Sequence, residues 1–174
     1  FALAAHAQNR VRIATSGDGI GSLVNVLACN NPQARSHAEG ALIRLSIEDS
    51  IRSQTIRTLV DMVSGSRDTA GMIGQEQAAA TLSNLAKESE ANRNSIMEAR
   101  GIPPLLELLD SQSAKARENA VGAITELCRK SKENQAAVAG AGGIPKLVNV
   151  LLGFSGAKIK DVSQVALCTL AASA

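Results

Sequence analysis

The residues of this chain whose types can do chemistry are few and scattered. His6 and His37 stand far apart, and neither has a Cys, Asp or Glu at a spacing that completes a metal site; no Ser elbow or Glu-His pairing offers an activated nucleophile. Both read as exposed or half-buried helical residues. Two glycine-rich stretches, Gly17-Asp18-Gly19-Ile20-Gly21 and Gly140-Ala141-Gly142-Gly143, superficially resemble loops that cradle phosphate at helix N-termini. They lack a preceding strand and the Lys-Ser/Thr pair of a P-loop, and they occupy equivalent points of a repeating pattern where glycine permits a sharp bend. Cys29, Cys128 and Cys168 are odd in number, far apart and set in apolar helical patterns. They read as small core residues in a reducing compartment, not as a disulfide or metal framework. Catalysis by this chain alone is therefore not expected, and no catalytic residue, cofactor or metal ligand is assigned.

The elements that must position any functional residue are helices. Gly101-Ile102-Pro103-Pro104-Leu105-Leu106-Glu107-Leu108-Leu109, a polar turn and Ala116 to Cys128 read as two amphipathic helices in a hairpin. The first arm returns at Gly143 to Leu151, at Gly19 to Leu27 and, eroded, at Ile56 to Val63. Its aligned leucines, Leu23, Leu59, Leu105 and Leu147, are 36, 46 and 42 residues apart; those of the second arm, Leu45, Leu85, Leu127 and Leu170, are 40, 42 and 43 apart. Helical units with a period near 42 residues are the signature of an α-solenoid. The expected fold is all-α, a right-handed α-solenoid of about four units: a partial one over 1–18, then about 19–50, 51–91, 92–133 and 134–174.

Asn92-Arg93-Asn94-Ser95-Ile96 followed by the Gly101 to Leu109 stretch, together with Thr81-Leu82-Ser83-Asn84-Leu85-Ala86, resembles the armadillo repeat. Within that family, Ala116 to Ala123 is most similar to the arrays of plant-type U-box ubiquitin ligases and their relatives. The resemblance runs from about Asn9 to Leu170. It implies a concave groove lined by the second long helix of each unit. Asn84 matches the family's ladder asparagine, whose amide both donates to and accepts from an extended peptide backbone. The aligned positions are Arg44, Glu126 and Thr169, and His37, Gln77 and Asn119 complete the expected groove set. Where nuclear-import adaptors of the family place Trp, this chain has Gly40, Ala80, Gly122 and Val165. That departure argues against the import-adaptor mode and for a wide, smooth groove. Lys115 and Arg129 are expected on other helix faces.

Composition agrees with a solenoid. Apolar residues make up 45% of the 174 and aromatics only 1%, so the core must be aliphatic and its helices closely spaced. Net charge is +2, with 18 basic and 16 acidic residues intermixed. Without a basic stripe or stacking aromatics, nucleic acid is not an expected partner. The basic clusters Arg10 with Arg12, and Arg129, Lys130 and Lys132, read as solvated faces, the second also complementing a helix C-terminus. The most apolar stretch, 136–157, is interrupted by Pro145, Lys146 and Asn149, so no membrane span is expected. No Asn-x-Ser/Thr sequon occurs, in keeping with a cytoplasmic or nuclear setting.

Two irregularities carry structural expectations. Leu45 to Leu59 spans 14 residues where Leu85 to Leu105 and Leu127 to Leu147 span 20, so the unit near Ile51 has no room for the short helix that opens the others. Ser64 to Gly71 is an insertion of small polar residues, expected as an exposed mobile loop. A last helix is expected over Lys158 to Ala172. Neither end carries a polar capping unit, so the sequence reads as a segment of a longer array, truncated at both ends, with further repeats or partner subunits there. The expected function is a non-enzymatic protein-interaction scaffold with its partner in the concave groove. The alternatives are the substrate-recognition part of a U-box ubiquitin ligase, or a structural subunit embedded in a large assembly.

Overall fold

A computed structural model describes residues 6–65, 69–153, 163–167, 169 and 171, and its helices follow the leucine register. In chain order these are α1 (Ala7–Thr15), α2 (Gly19–Val26), α3 (Pro32–Leu45), α4 (Asp49–Val63), α5 (Thr69–Glu88), α6 (Glu90–Glu98), α7 (Ile102–Leu108), α8 (Ala114–Cys128), α9 (Lys132–Gly140) and α10 (Gly143–Gly153). No strand occurs among the described residues. None of these helices alone is long and apolar enough to cross a membrane. Of the final helix expected over Lys158 to Ala172, residues 163–167, 169 and 171 are helical; the rest, with Leu170 and Cys168, lie outside the described residues, as do 66–68 of the insertion.

Short polar side chains start the helices. Asn31 caps α3, its Oδ1 accepting from the N–H groups of Gln33 and Ala34 at 3.0 and 3.1 Å, and Pro32 takes the first helical position, where a missing N–H costs nothing. Ser89, Ser113 and Ser131 cap α6, α8 and α9, each hydroxyl accepting from the N–H three residues on. Asp18 caps α2 in the same way through Gly21. Lys132, expected to complement the end of α8, instead opens α9.

The glycine before each first arm sets the sharp corner there. A Cβ on Gly101 would lie 2.7 Å from Ile96 Cγ2 and 3.0 Å from the Ile96 carbonyl, and Gly19 and Gly143 meet the preceding short helix as closely. Thr55 holds the same register position, four residues before Leu59, and there the chain stays helical. α3 is followed directly by the single long α4, with no short helix between them.

The core is the continuous aliphatic seam the register requires. Leu45, Leu59, Leu85, Leu105, Leu127 and Leu147 are fully buried; each such burial is worth about 1.5–3 kcal/mol. Leu23 is only partly covered. α5 packs most extensively against α8. Ala78, Ala79, Ala86, Ala116, Ala120 and Ala123 on these two helices are buried, and a Cβ on Gly122 would sit 3.3 Å from Ser83 Oγ. Small residues thus let the two helices approach closely. Cys128 is buried in the core as expected, whereas Cys29 is half-exposed at the end of α2, its thiol donating to the Asn31 carbonyl at 3.6 Å.

Candidate protein-binding face

The second long helices α3, α5 and α8 lie side by side, and polar contacts cross both seams between them. Between α3 and α5, the Asn84 amide donates to Glu39 Oε1 at 2.7 Å on the exposed surface. Between α5 and α8, Asn119 Nδ2 donates to the Glu76 carbonyl at 2.9 Å, and the Ser113 hydroxyl to Glu76 Oε2 at 3.0 Å. These contacts place Asn84 and Asn119 on the common face, together with Glu39 and Glu76. Gln77 leans on its neighbour Glu76 at 3.4 Å. Arg44 is half-buried and His37 exposed on α3. Thr169 turns its hydroxyl to the Val165 carbonyl at 2.8 Å, within its own helix.

Glu126 is half-buried near the end of α8. Arg129, expected on another face of α8, folds back onto Glu126, its Nε 2.8 Å from Oε2. The two form one ion pair, so neither acts independently of the other. Lys115 pairs loosely with Glu118 at 3.7 Å. Glu39 carries no register signal in the sequence, because its mates, Ala79 and Val121, are apolar core residues; on α3 that position is half-buried and holds a carboxylate. The positions of the absent Trp row are half-buried at Gly40, Ala80 and Gly122 and exposed at Val165. No large side chain therefore divides the face into deep slots.

A second register holds this face rigid. The last carbonyls of α5 and α8 receive side-chain donors from the helix that follows. Asn92 Nδ2 reaches Leu85 O at 2.9 Å and Arg93 reaches Ala86 O at 2.9 Å. Forty-two residues on, Asn134 reaches Leu127 O and Gln135 reaches Cys128 O, both at 2.8 Å. Asn92 and Asn134 are 4% and 0% exposed, which makes these amides internal staples, unlike the solvent-facing Asn84. A third set, Arg35, Gln75 and Arg117, closes the preceding turns by donating to Cys29 O, Val63 O and Ser111 O. Each stands ten residues before Leu45, Leu85 or Leu127, a signal present in the sequence but not singled out.

The face offers hydrogen-bonding amides and charges of both signs, and no reactive arrangement. Among the described residues no three His, Cys, Asp or Glu side chains gather to hold a metal ion. Burial pushes the Cys128 thiol up to about 11, so it stays protonated and unreactive near neutral pH.

Comparison with known proteins bears on the fold. Residues 89–129 match the family model of the Armadillo/beta-catenin-like repeat. No curated protein matches the sequence. Among solved structures, a computationally designed armadillo repeat protein for modular peptide recognition is similar, with a TM-score of 0.69 at 21% identity over 96% of this chain and 71% of that one. A designed armadillo repeat protein in complex with the peptide (KR)4 is similar at TM-score 0.69 and 19% identity, over 97% of this chain and 71% of the other. An engineered protein is similar at TM-score 0.70 and 22% identity, over 97% of this chain and 41% of the other. The fold is an armadillo-type α-solenoid.

Proposed function

We propose that this chain is a non-enzymatic protein-binding scaffold whose α3, α5 and α8 face holds an extended segment of a partner. The observation that carries the reading is Asn84: an exposed amide between two long helices, held among the described residues by the surface carboxylate of Glu39 alone. One N–H and the carbonyl oxygen remain for a peptide backbone, and the Glu39 contact is weak enough to exchange. The designed proteins of the same fold, one made for modular peptide recognition and one bound to a peptide, support this use of the face. The reading divides the array into units of about 19–50, 51–91, 92–133 and 134–174 after a partial one, with Arg44, Asn84, Glu126 and Thr169 at corresponding points and His37, Gln77 and Asn119 toward the helix starts. No observation favours the U-box ligase or embedded-subunit alternatives over this scaffold.

The test is peptide display against the 174-residue chain, followed by affinity measurement of a selected peptide. Asn84→Ala is expected to weaken binding about 5- to 150-fold, the loss from about 1–3 kcal/mol of unpaired backbone hydrogen bonding. Lys115→Ala is expected to change it less than twofold. Because the face mixes charges, moderate salt should weaken binding only slightly. Loss of the peptide on Lys115→Ala with retention on Asn84→Ala would place docking elsewhere and refute the reading.

A further inference from the structure

Away from that face, a cleft of about 190 Å³ opens between the end of α4, the start of α5 and the end of α7. Val63, Met72 and Leu108 give it an apolar lining. Acceptors outnumber donors among its polar groups, the donors being the Ser111 hydroxyl and the Gln112 amide. Gln75, 7% exposed, commits its amide nitrogen to Val63 O at 3.0 Å and Gly65 O at 3.1 Å, which leaves Oε1 for a guest. The Ser64 hydroxyl likewise donates to Val60 O at 3.1 Å. Glu107 is exposed at the rim and makes no ion pair among the described residues. The cleft lies at the C-terminal, electronegative end of the 15-residue α4, with the first turns of α5 on its other side. Among the described residues the neighbouring cations are engaged: Lys146 pairs with Asp110, and Arg117 donates to the Ser111 carbonyl.

Dispersed acceptors above an apolar lining match one kind of side chain, an aliphatic stem with a flat head carrying several donors. We propose that this cleft binds an arginine side chain of a partner polypeptide. Its stem lies across Met72 and Leu108, and its guanidinium donates to Gln75 Oε1 and the Glu107 carboxylate. Lysine has the stem but only a compact point charge, so it satisfies fewer of these acceptors. The site shares no residue with the Asn84 face, so it would give a partner a second, separate anchor.

The chain's three methionines, Met62, Met72 and Met97, make the test direct, because only Met72 lines the cleft. The 174-residue chain with ¹³C-labelled methionine methyls is titrated with N-acetyl-arginine methylamide and with its lysine and norleucine counterparts. Saturable movement of the Met72 methyl alone is expected with arginine, at least threefold weaker with lysine and absent with norleucine. Glu107→Gln should weaken the arginine response at least threefold, while Asn84→Ala leaves it unchanged. Met72 moving no more than Met62 and Met97 would overturn the proposal. So would equal responses to arginine and norleucine or to arginine and lysine, an undiminished response in Glu107→Gln, or a response lost with Asn84→Ala.

Discussion

Replacing Asn134 tests whether the buried amides are what join one helical unit to the next. Its side chain is 0% exposed and its Nδ2 lies 2.8 Å from Leu127 O in the last turn of α8. The next main-chain donor, Ser131 N–H, goes to Cys128 O at 3.4 Å, so the amide is what serves the Leu127 carbonyl. Asn134→Ala leaves that buried carbonyl without its donor and should cost about 1–3 kcal/mol. Asn134→Asp keeps the shape but turns the donor into a charged acceptor facing a carbonyl. Near neutral pH it should cost more, about 3–5 kcal/mol, as for other uncompensated buried charges.

The two variants also differ in pH dependence. Burial and the facing carbonyl raise the new carboxyl's pKa in the folded state, because a protonated acid can donate to Leu127 O. The folded protein then holds a proton that the unfolded chain releases. Its stability is therefore present below the unfolded value and lost as pH rises through the folded one. Urea melts followed by helical circular dichroism, near pH 7 and near pH 4, should show the Asp deficit relative to wild type shrinking at the lower pH. The Ala deficit should change much less. An Asp variant no worse than Ala near neutral pH, or an Ala variant within about 0.5 kcal/mol of wild type, would show that the amide does not join the units.

Other perturbations probe the core and the irregular unit. Leu127→Ala removes a fully buried leucine and should cost about 2–5 kcal/mol in urea melts, since the rigid seam closes only partly over the cavity. Thr55 is 0% exposed and its hydroxyl has no hydrogen-bond partner among the described residues. Thr55→Val, nearly isosteric, should therefore raise stability by about 1 kcal/mol in the same assay. Cys128, with its thiol pushed up to about 11, favours the folded state below its ordinary value of 9.0. That stability should drain away between about pH 9 and 11, a loss that Cys128→Ala should not show when melts are compared across that range.

Much of the fold was legible because burial in a solenoid repeats. A leucine that must be covered in one unit must be covered at the same register in the next, so Leu45, Leu85 and Leu127 announce three parallel helices before any coordinates. The shortfall between Leu45 and Leu59 was legible for the same reason: too few residues remain for a short helix, and none forms. The candidate face was harder to read. Register says which positions point outward but not which outward side chains meet. Glu39 reaches Asn84 across 45 residues of sequence, and Arg129 turns back onto Glu126 where the helix ends. The long flexible side chains that decide such pairs carry no period of their own.

The two kinds of asparagine show how one residue type is put to opposite uses by its register. Asn92 and Asn134 stand three residues after a capping serine, at the start of a short helix, where their amides can reach only the carbonyl ends of the helix before. Fixing that junction fixes the angle between successive units. Asn84 stands one residue before a core leucine, near the end of a long helix, so its amide points away from the leucine core, onto the surface where it meets Glu39. Close packing of α5 on α8 through alanines and Gly122 brings the neighbouring helices near enough for polar groups to span them. The same small residues leave no aromatic wall to hold a partner's side chains. On the proposed function, recognition on this face rests on hydrogen bonds to an extended backbone, and the proposed arginine cleft away from it adds side-chain selectivity.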